Sequence, residues 1–585
     1  LLGKFVVSQV AEAYDAHAPT PDSSSGYRAF ATATQHRENT VGMVNRFLFL
    51  VFGILCATSQ LPAASAKSAL IGIVSADEGP MEGVAVSARK IPGTITVTVF
   101  SDSQGRYAFP QGRLTPGKYL LAIRAIGYDA ADSHLTAPVG RPKSEVNIKL
   151  VKTRDLASQL SDVEWLMSVP GTDDQKQYLF QTCSHCHTLA PVLKSTYDAT
   201  GWMAALARMP QWDQVSLISK PVMSPVQGRA PFGSKEFAQY LSSINLSSHP
   251  DHDFGLKTLP RPRGEDTRVI ITEYDLPRTE AEPHDVAPDK TGMIWYQDFM
   301  DGIVGRLNTA TGDVKEWHDP AAKPGYPSAF QDLEWDPQGN IWLGRHDWNG
   351  IAKFDVSTER FTNFDLPPAT KADLIAVGGD GTVWAKDDSS TAVYRVDPAT
   401  GKATKFSAFP PQLTGKDYQG PRHHLYGITA DSSGNLYEAD AEGGNVCRLN
   451  GKTGEVTMYP IPTANSGPRR MHLDSQGRLW IGEYNSKTIG MFDTKTEQFR
   501  EWPIPVPWYG PYDVVADKYG YAWTGAMTTE LILRLNPKTG EFRKYLLPRL
   551  GVNVRRVEVD DAGAHPIFWV GENHQAKIAS VEPLD

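Results

Sequence analysis

The chain has 585 residues, 41% of them hydrophobic, 10% aromatic and 21% charged, an ordinary globular composition that excludes a disordered or fibrous protein and needs more than one core. Fifty-eight Lys plus Arg against 67 Asp plus Glu leave a net charge of −9 without long like-charge runs, so nucleic acid is not expected as a partner. Four cysteines are too few for a disulfide scaffold, but Cys183 and Cys186 stand three positions apart.

Residues 1–42 are polar and aperiodic and are expected to be an unstructured upstream segment. Residues 43–66 change character: Arg46 flanks an apolar run from Phe47 to Ala57, and Ala64-Ser65-Ala66 offers a cleavage site, the pattern of a secretory signal. The run is shorter than the roughly 20 residues that span a bilayer, so no integral membrane segment is expected after cleavage. Met43 is then the expected true start and Cys56 leaves with the signal. Leu55 before Cys56 does not suit lipoprotein processing. The expected location is the periplasm or the exterior.

Residues 67–152 alternate in strand-like bursts, Leu70 to Val74, Val84 to Ala88, Thr94 to Phe100, Tyr119 to Ala125 and Val146 to Leu150, punctuated by Gly and Pro, which predicts a small antiparallel sandwich. Gly72-Ile73-Val74, Gly83-Val84-Ala85-Val86, Gly105-Arg106-Tyr107, Gly117-Lys118-Tyr119 and Gly127-Tyr128 resemble the carboxypeptidase regulatory-like domain, a carbohydrate-binding-like fold. The resemblance implies an adhesion or spacer module with a glycan or partner as ligand, and no peptidase activity.

Residues 153–250 turn helical, with apolar residues at three-to-four spacing over Asp173 to Thr182, Gly201 to Met209 and Ser234 to Ile244. Cys183-Ser184-His185-Cys186-His187 fits C-x-x-C-H, whose thiols add to the vinyl groups of one haem while the histidine takes an axial iron position. A thioredoxin-like dithiol would need a βαβ setting, and zinc a second pair of ligands. The segment resembles a class I cytochrome c. In that family a methionine before the last helix supplies the other axial ligand, which points to Met223, with Met209 as rival and Met203 behind it. Residues 251–265, with Pro260, Pro262 and Gly264, read as a linker.

Residues 266–585 repeat every 45 or so positions. The turn glycines align as Gly292, Gly339, Gly381, Gly434, Gly477, Gly520 and Gly563, each followed by an aromatic: Trp295, Trp342, Trp384, Tyr437, Trp480, Trp523 and Trp569. These aromatics are expected to pack between blades. The last unit lacks its closing strand, whereas Val269 to Tyr274 supplies one ahead of the first, so a closed seven-bladed propeller is predicted over an open array. Eight positions before each glycine, His284, Gln331, Asp373, Tyr426, Arg469, Tyr512 and Arg555 are expected to ring the channel. Asp298, Arg345, Asp387, Asp440, Glu483, Ala526 and Glu572 form a second expected ring, a hydrated funnel or a site for a polar ligand or ion. The repeats resemble the virginiamycin B lyase family, and Glu282-Pro283-His284 matches its Glu-Pro-His. That resemblance implies magnesium (Mg2+) on Glu282, and on Asp298 as the nearest second carboxylate, with His284 as general base. Arg555 stands where the family has another histidine.

The sequence thus predicts a multidomain, mainly β protein: a small β-sandwich, a small all-α cytochrome c domain and a seven-bladed β-propeller. Its expected function is single-electron transfer by one covalent haem c, with the propeller as binding or oxidation platform and a redox partner protein or small-molecule electron donor. The alternatives are a magnesium-dependent streptogramin lyase-like enzyme and a non-catalytic glycan- or partner-binding protein.

Overall fold

The computed structural model describes residues 68–584 apart from 141–143, 185–186, 210–232, 300, 321–329, 346–348, 369, 389, 415–419 and 421–422. The upstream segment, the signal, Cys186 and Met223 lie outside the described residues. What is described is mainly β, with a few short helices.

The repeats fold as six four-stranded antiparallel sheets, in the order Pro283–Pro288 to Val314–His318, Phe330–Trp335 to Arg360–Asp365, Ala372–Val377 to Ala403–Ser407, Leu425–Ala430 to Val456–Pro460, Pro468–Leu473 to Gln498–Pro503 and Pro511–Ala516 to Glu541–Leu546. A further set follows, Val557–Asp560, Ile567–Glu572 and Lys577–Pro583, completed by Val269–Asp275. That early strand pairs along its length with the last, from Val269 opposite Pro583 to Asp275 opposite Lys577. The first strand of each set packs on the first strand of the next, and Pro283–Pro288 packs on Val557–Asp560, so the arrangement returns on itself.

The repeat has a local chemical cause. Gly292, Gly339, Gly381, Gly434, Gly477 and Gly520 all adopt φ of 81–85°, a left-handed conformation that side chains disfavour. Three residues before four of them an aspartate closes the turn and also reaches the aromatic that follows. Asp474 accepts the Gln476 and Arg478 N–H groups at 2.9 and 3.0 Å and the Trp480 indole N–H at 3.0 Å. Asp289, Asp336 and Asp517 hold Trp295, Trp342 and Trp523 at 2.9, 3.1 and 2.9 Å. The third sheet has Gly378 in the aspartate's place, and the buried Trp384 indole N–H has no partner. Trp569, set further from its turn by an insertion, is likewise without one.

The sandwich is not a separate bead. Its strand Ile95–Phe100 pairs with Val269–Asp275, Tyr274 opposite Ile95 and Ile271 opposite Thr98, so that one eight-stranded sheet runs through the last set of the ring into the sandwich. This covers a sheet edge that would otherwise template association. The second sandwich sheet is built on Ser68–Ala76, and Leu70, Val74, Val86, Tyr107, Phe109 and Ile148 fill the space between the sheets. Arg106–Pro110 and Thr136–Val139, hidden among turn residues, are strands beyond those expected.

The helical stretch forms α1 (Asp162–Ser168), α2 (Asp173–Cys183), α3 (Ala190–Leu193), α4 (Ala199–Arg208) and α5 (Lys235–Ile244). Capping boxes start α1, with Ser161 and Glu164, and α2, with Thr172 and Gln175, satisfying the first free N–H groups. Trp165, Leu179, Phe180, Trp202, Phe237 and Leu241 share one core with Tyr484, Tyr512 and Met527 of the ring. Val163 N–H donates to the Thr528 carbonyl at 3.0 Å, and Lys487 Nζ to Gln177 at 2.6 Å. The expected linker is strapped down: Leu259 N–H donates to Glu164 and Gly264 N–H to Glu82, both at 2.8 Å. Among the described residues no helix is long and apolar enough to cross a membrane.

Candidate functional site at the mouth of the ring

The side chains eight positions before the turn glycines do converge, because each stands near the start of the innermost strand of its sheet. The Tyr426 and Tyr512 hydroxyls are 2.9 Å apart. The Arg469 guanidinium lies 3.7 Å over the Tyr484 ring and 5.2 and 5.5 Å from the Tyr426 and Tyr512 rings. Asp373 holds Lys386 at 2.8 Å. His284 meets Tyr512 edge-on at 6.1 Å and stacks on Phe299 at 4.8 Å, and the Arg555 guanidinium also lies 4.8 Å from the Phe299 ring.

One residue further along these strands is a layer that the sequence reading missed. Arg470 donates to Asp332 at 2.8 Å, and Arg556 joins Asp332, Asp285 at 3.3 Å and Glu334 at 2.5 Å. His472 and Asp513 pair at 2.9 Å. Opposite charges at the ring offset by one position were the available signal, but only closure brings blades distant in sequence face to face. The layer cross-braces the ring and holds Asp285, which in turn accepts the Leu333 N–H at 3.0 Å.

Asp285 is also the partner of His284, with Nδ1 and Oδ1 2.5 Å apart. The carboxylate only accepts, so Nδ1 carries the proton and Nε2 keeps its lone pair. His284 is fully buried, and its Nε2 has no partner. Burial first, then the Arg555 and Arg470 charges, hold its pKa well below the ordinary range, so the imidazole is neutral. Two residues earlier, Glu282 is buried and its pKa is pushed well up, chiefly by desolvation, with Arg555 opposing and Asp298 adding to the rise. Burial thus favours the neutral form of both His284 and Glu282, on either side of Arg555, and drives their pKa values apart.

The carboxylates proposed for magnesium do not fit that ion. Arg278 holds Asp298 at 2.5 Å, Asp301 at 2.7 Å and Glu316 at 3.1 Å, and Asp298 also accepts the Glu282 N–H at 3.3 Å. Arg555 is the positive charge that opposes the rise of the Glu282 pKa. Arg278 thus already engages Asp298, and no cluster of three ligating side chains exists among the described residues. Within the second expected ring, Asp440 accepts the Gly443 N–H at 3.0 Å and Asp387 the Ser390 hydroxyl at 2.6 Å, whereas both carboxyl oxygens of the buried Glu572 have no hydrogen-bond partner.

Helix α2, which ends at the first cysteine of the C-x-x-C-H stretch, packs on the ring. Phe180 of α2 stacks on Tyr484 at 4.8 Å, and Cys183 is the buried last residue of that helix. His187 is half-buried, with Nδ1 2.8 Å from the Thr188 carbonyl, a contact that fixes the ring. Asp162 holds the next turn by accepting the Leu189 N–H at 2.7 Å. Trp165 and Trp202, in the core that contains Cys183, bury indole N–H groups without partners. Of the residues that would hold a haem c, Cys183 and His187 are described and Cys186 and Met223 are not. Met209 caps α4 and packs against the helical core, and Met203 is exposed. His574, in the last turn of the ring, is lowered to about 3 by burial, then by Arg555 and His187.

A model of the virginiamycin B lyase family matches residues 411–584, and one of the carboxypeptidase regulatory-like domain matches residues 70–151. The photosystem II assembly lipoprotein Ycf48 of Prochlorococcus marinus is 32% identical over 82 residues, 12% of this chain and 24% of that protein. The chain therefore spans about a quarter of the length of that curated relative. Virginiamycin B lyase from Staphylococcus aureus superposes with a TM-score of 0.47 at 18% identity, over 54% of this chain and 100% of that one. A streptogramin B lyase structure does so with 0.48 at 20%, over 55% and 99%. From its family matches and its sheets, the chain carries a carboxypeptidase regulatory-like domain and a virginiamycin B lyase-like β-propeller.

Proposed function

We propose that the ring is a seven-bladed propeller of the virginiamycin B lyase type whose mouth catalyses an elimination without a metal. The observation that carries this is the buried His284, its tautomer set by Asp285 and its Nε2 unengaged, two residues from the buried Glu282, whose pKa desolvation raises. In this reading His284 Nε2 takes the proton from the carbon next to a carbonyl. The electron pair left behind forms the new double bond as the carbon–oxygen bond breaks, and the leaving oxygen receives the Glu282 proton. Arg555 supports the charge that develops on the carbonyl oxygen. The helical segment over the mouth excludes water and restricts entry.

Linearisation of streptogramin B compounds by the full chain tests this. Activity that survives a chelator and falls at least about 100-fold in His284→Ala, the scale of a lost general base, is the expected result. Activity that requires added magnesium removes the metal-free step. Its absence, with glycan or partner binding intact, leaves the ring a binding platform.

A second reading is favoured by His187, whose Nδ1 is tied to a backbone carbonyl. Cys183 and Cys186 would hold one haem c and His187 its iron, with Met223 in the second axial place that the cytochrome resemblance assigns. A bound haem supplies one-electron transfer. The propeller would hold the donor against that face, and the protein would work outside the cytoplasm, in the periplasm or secreted. Reduction of the full chain by a screened panel of sugars and alcohols tests it; a spectrum without a haem c α-band after expression with a maturation system removes it.

A further inference from the structure

The loop after the haem motif is seated on the last blade of the ring. A Cβ placed on Gly551 would lie 3.2 Å from Thr188 Cγ2 and 3.9 Å from Gln575 Nε2. Gln575 is itself fastened to the same loop, donating to the Leu550 carbonyl at 3.0 Å, and the His574 N–H donates to the Val552 carbonyl at 3.3 Å. Thr188 therefore meets the 550–552 loop between the positions that flank it in each segment, which brings His187 and His574 to one another. The two imidazoles interact electrostatically. His187 commits Nδ1 to the Thr188 carbonyl, so any metal it holds lies on its Nε2 side. Met209, the described methionine nearest in role, is spent on packing in the helical core.

We infer that His574, contributed by the propeller, is the second axial ligand of a haem whose first is His187. The inference rests on the covalent-haem reading and replaces its methionine. The step is ligation alone: the neutral imidazole lone pair of His574 forms one bond to iron, and no electron is exchanged. The consequence is functional, since the iron would then be clamped between the helical segment and the propeller, beside Arg555, Glu282 and His284, instead of within the helices.

The test uses the full chain, expressed with a haem c maturation system, and begins with a pyridine haemochrome of the denatured protein. No covalent porphyrin overturns the haem reading and this inference together. With porphyrin attached, the expected ferric protein is low-spin, has a bis-imidazole electron paramagnetic resonance signal and lacks the sulfur-to-iron charge-transfer band. His574→Ala should lose that signal and become high-spin. His574→Met, which keeps a ligand and so guards against misfolding, should create the sulfur band. Wild-type protein that already shows the band, with Met223→Ala or Met209→Ala abolishing it, overturns the inference while leaving the haem in place. So does a His574→Ala spectrum identical to that of the wild type.

Discussion

At the scale of single residues, burial decides which charged forms exist. Glu483 is fully buried at the end of its strand, and desolvation, reinforced by nearby Glu501, raises its pKa from 4.5 to about 8. The folded protein therefore keeps a proton that the unfolded chain loses near pH 4.5. The folded state binds this proton across the window that the unfolded chain does not, so the contribution of Glu483 to stability is fully present below about pH 4.5 and is lost as pH rises to about 8. Glu483→Gln keeps the shape and can still accept from Ser486, which lies 3.0 Å away. It should raise the melting temperature at pH 8 and leave it unchanged at pH 4, in paired thermal scans. His284 obeys the same logic with the opposite charge: burial removes the cation, and Asp285→Asn should free the tautomer, lowering turnover by about 10- to 100-fold with little change in KM if His284 is a base oriented through Nδ1.

At the scale of the blade, one aspartate serves several donors at once: Asp474 accepts two turn N–H groups, the Trp480 indole and the Arg478 guanidinium, the last at 2.7 Å. Asp474→Ala leaves those donors without their partner, two of them on backbone, and should cost about 1–3 kcal/mol, read from denaturant midpoints. Asp289, Asp336 and Asp517 should behave alike, each within a similar range. The third blade has no such carboxylate to lose, and its Trp384 indole N–H is already unpaired. The repeat was legible in the sequence because this turn chemistry is local, six residues from carboxylate to indole. The second ring shows the complementary limit: position within a repeat says how residues line up between blades, not which partners the folded ring gives them, as with Asp298 and Arg278.

At the scale of the whole molecule, the sandwich, the helices and the ring share sheets and cores. Unfolding should therefore show a single cooperative transition, with circular dichroism and tryptophan fluorescence changing together; separate transitions would show independent modules. Removing the sandwich, residues 68–152, exposes the Val269–Asp275 edge, and light scattering should then report self-association. The order of modules, the repeat and its closing strand, the C-x-x-C-H motif and the inner ring were all present in the chain's own patterns, because strand alternation, turn glycines and short motifs are set by neighbours. Tertiary structure alone decided that Arg278 engages Asp298, that Arg470 and Arg556 both bind Asp332 across the ring, and that Thr188 packs on the loop at Gly551. Those contacts join residues tens to hundreds of positions apart, and nothing local in the chain encodes which charges closure will bring together.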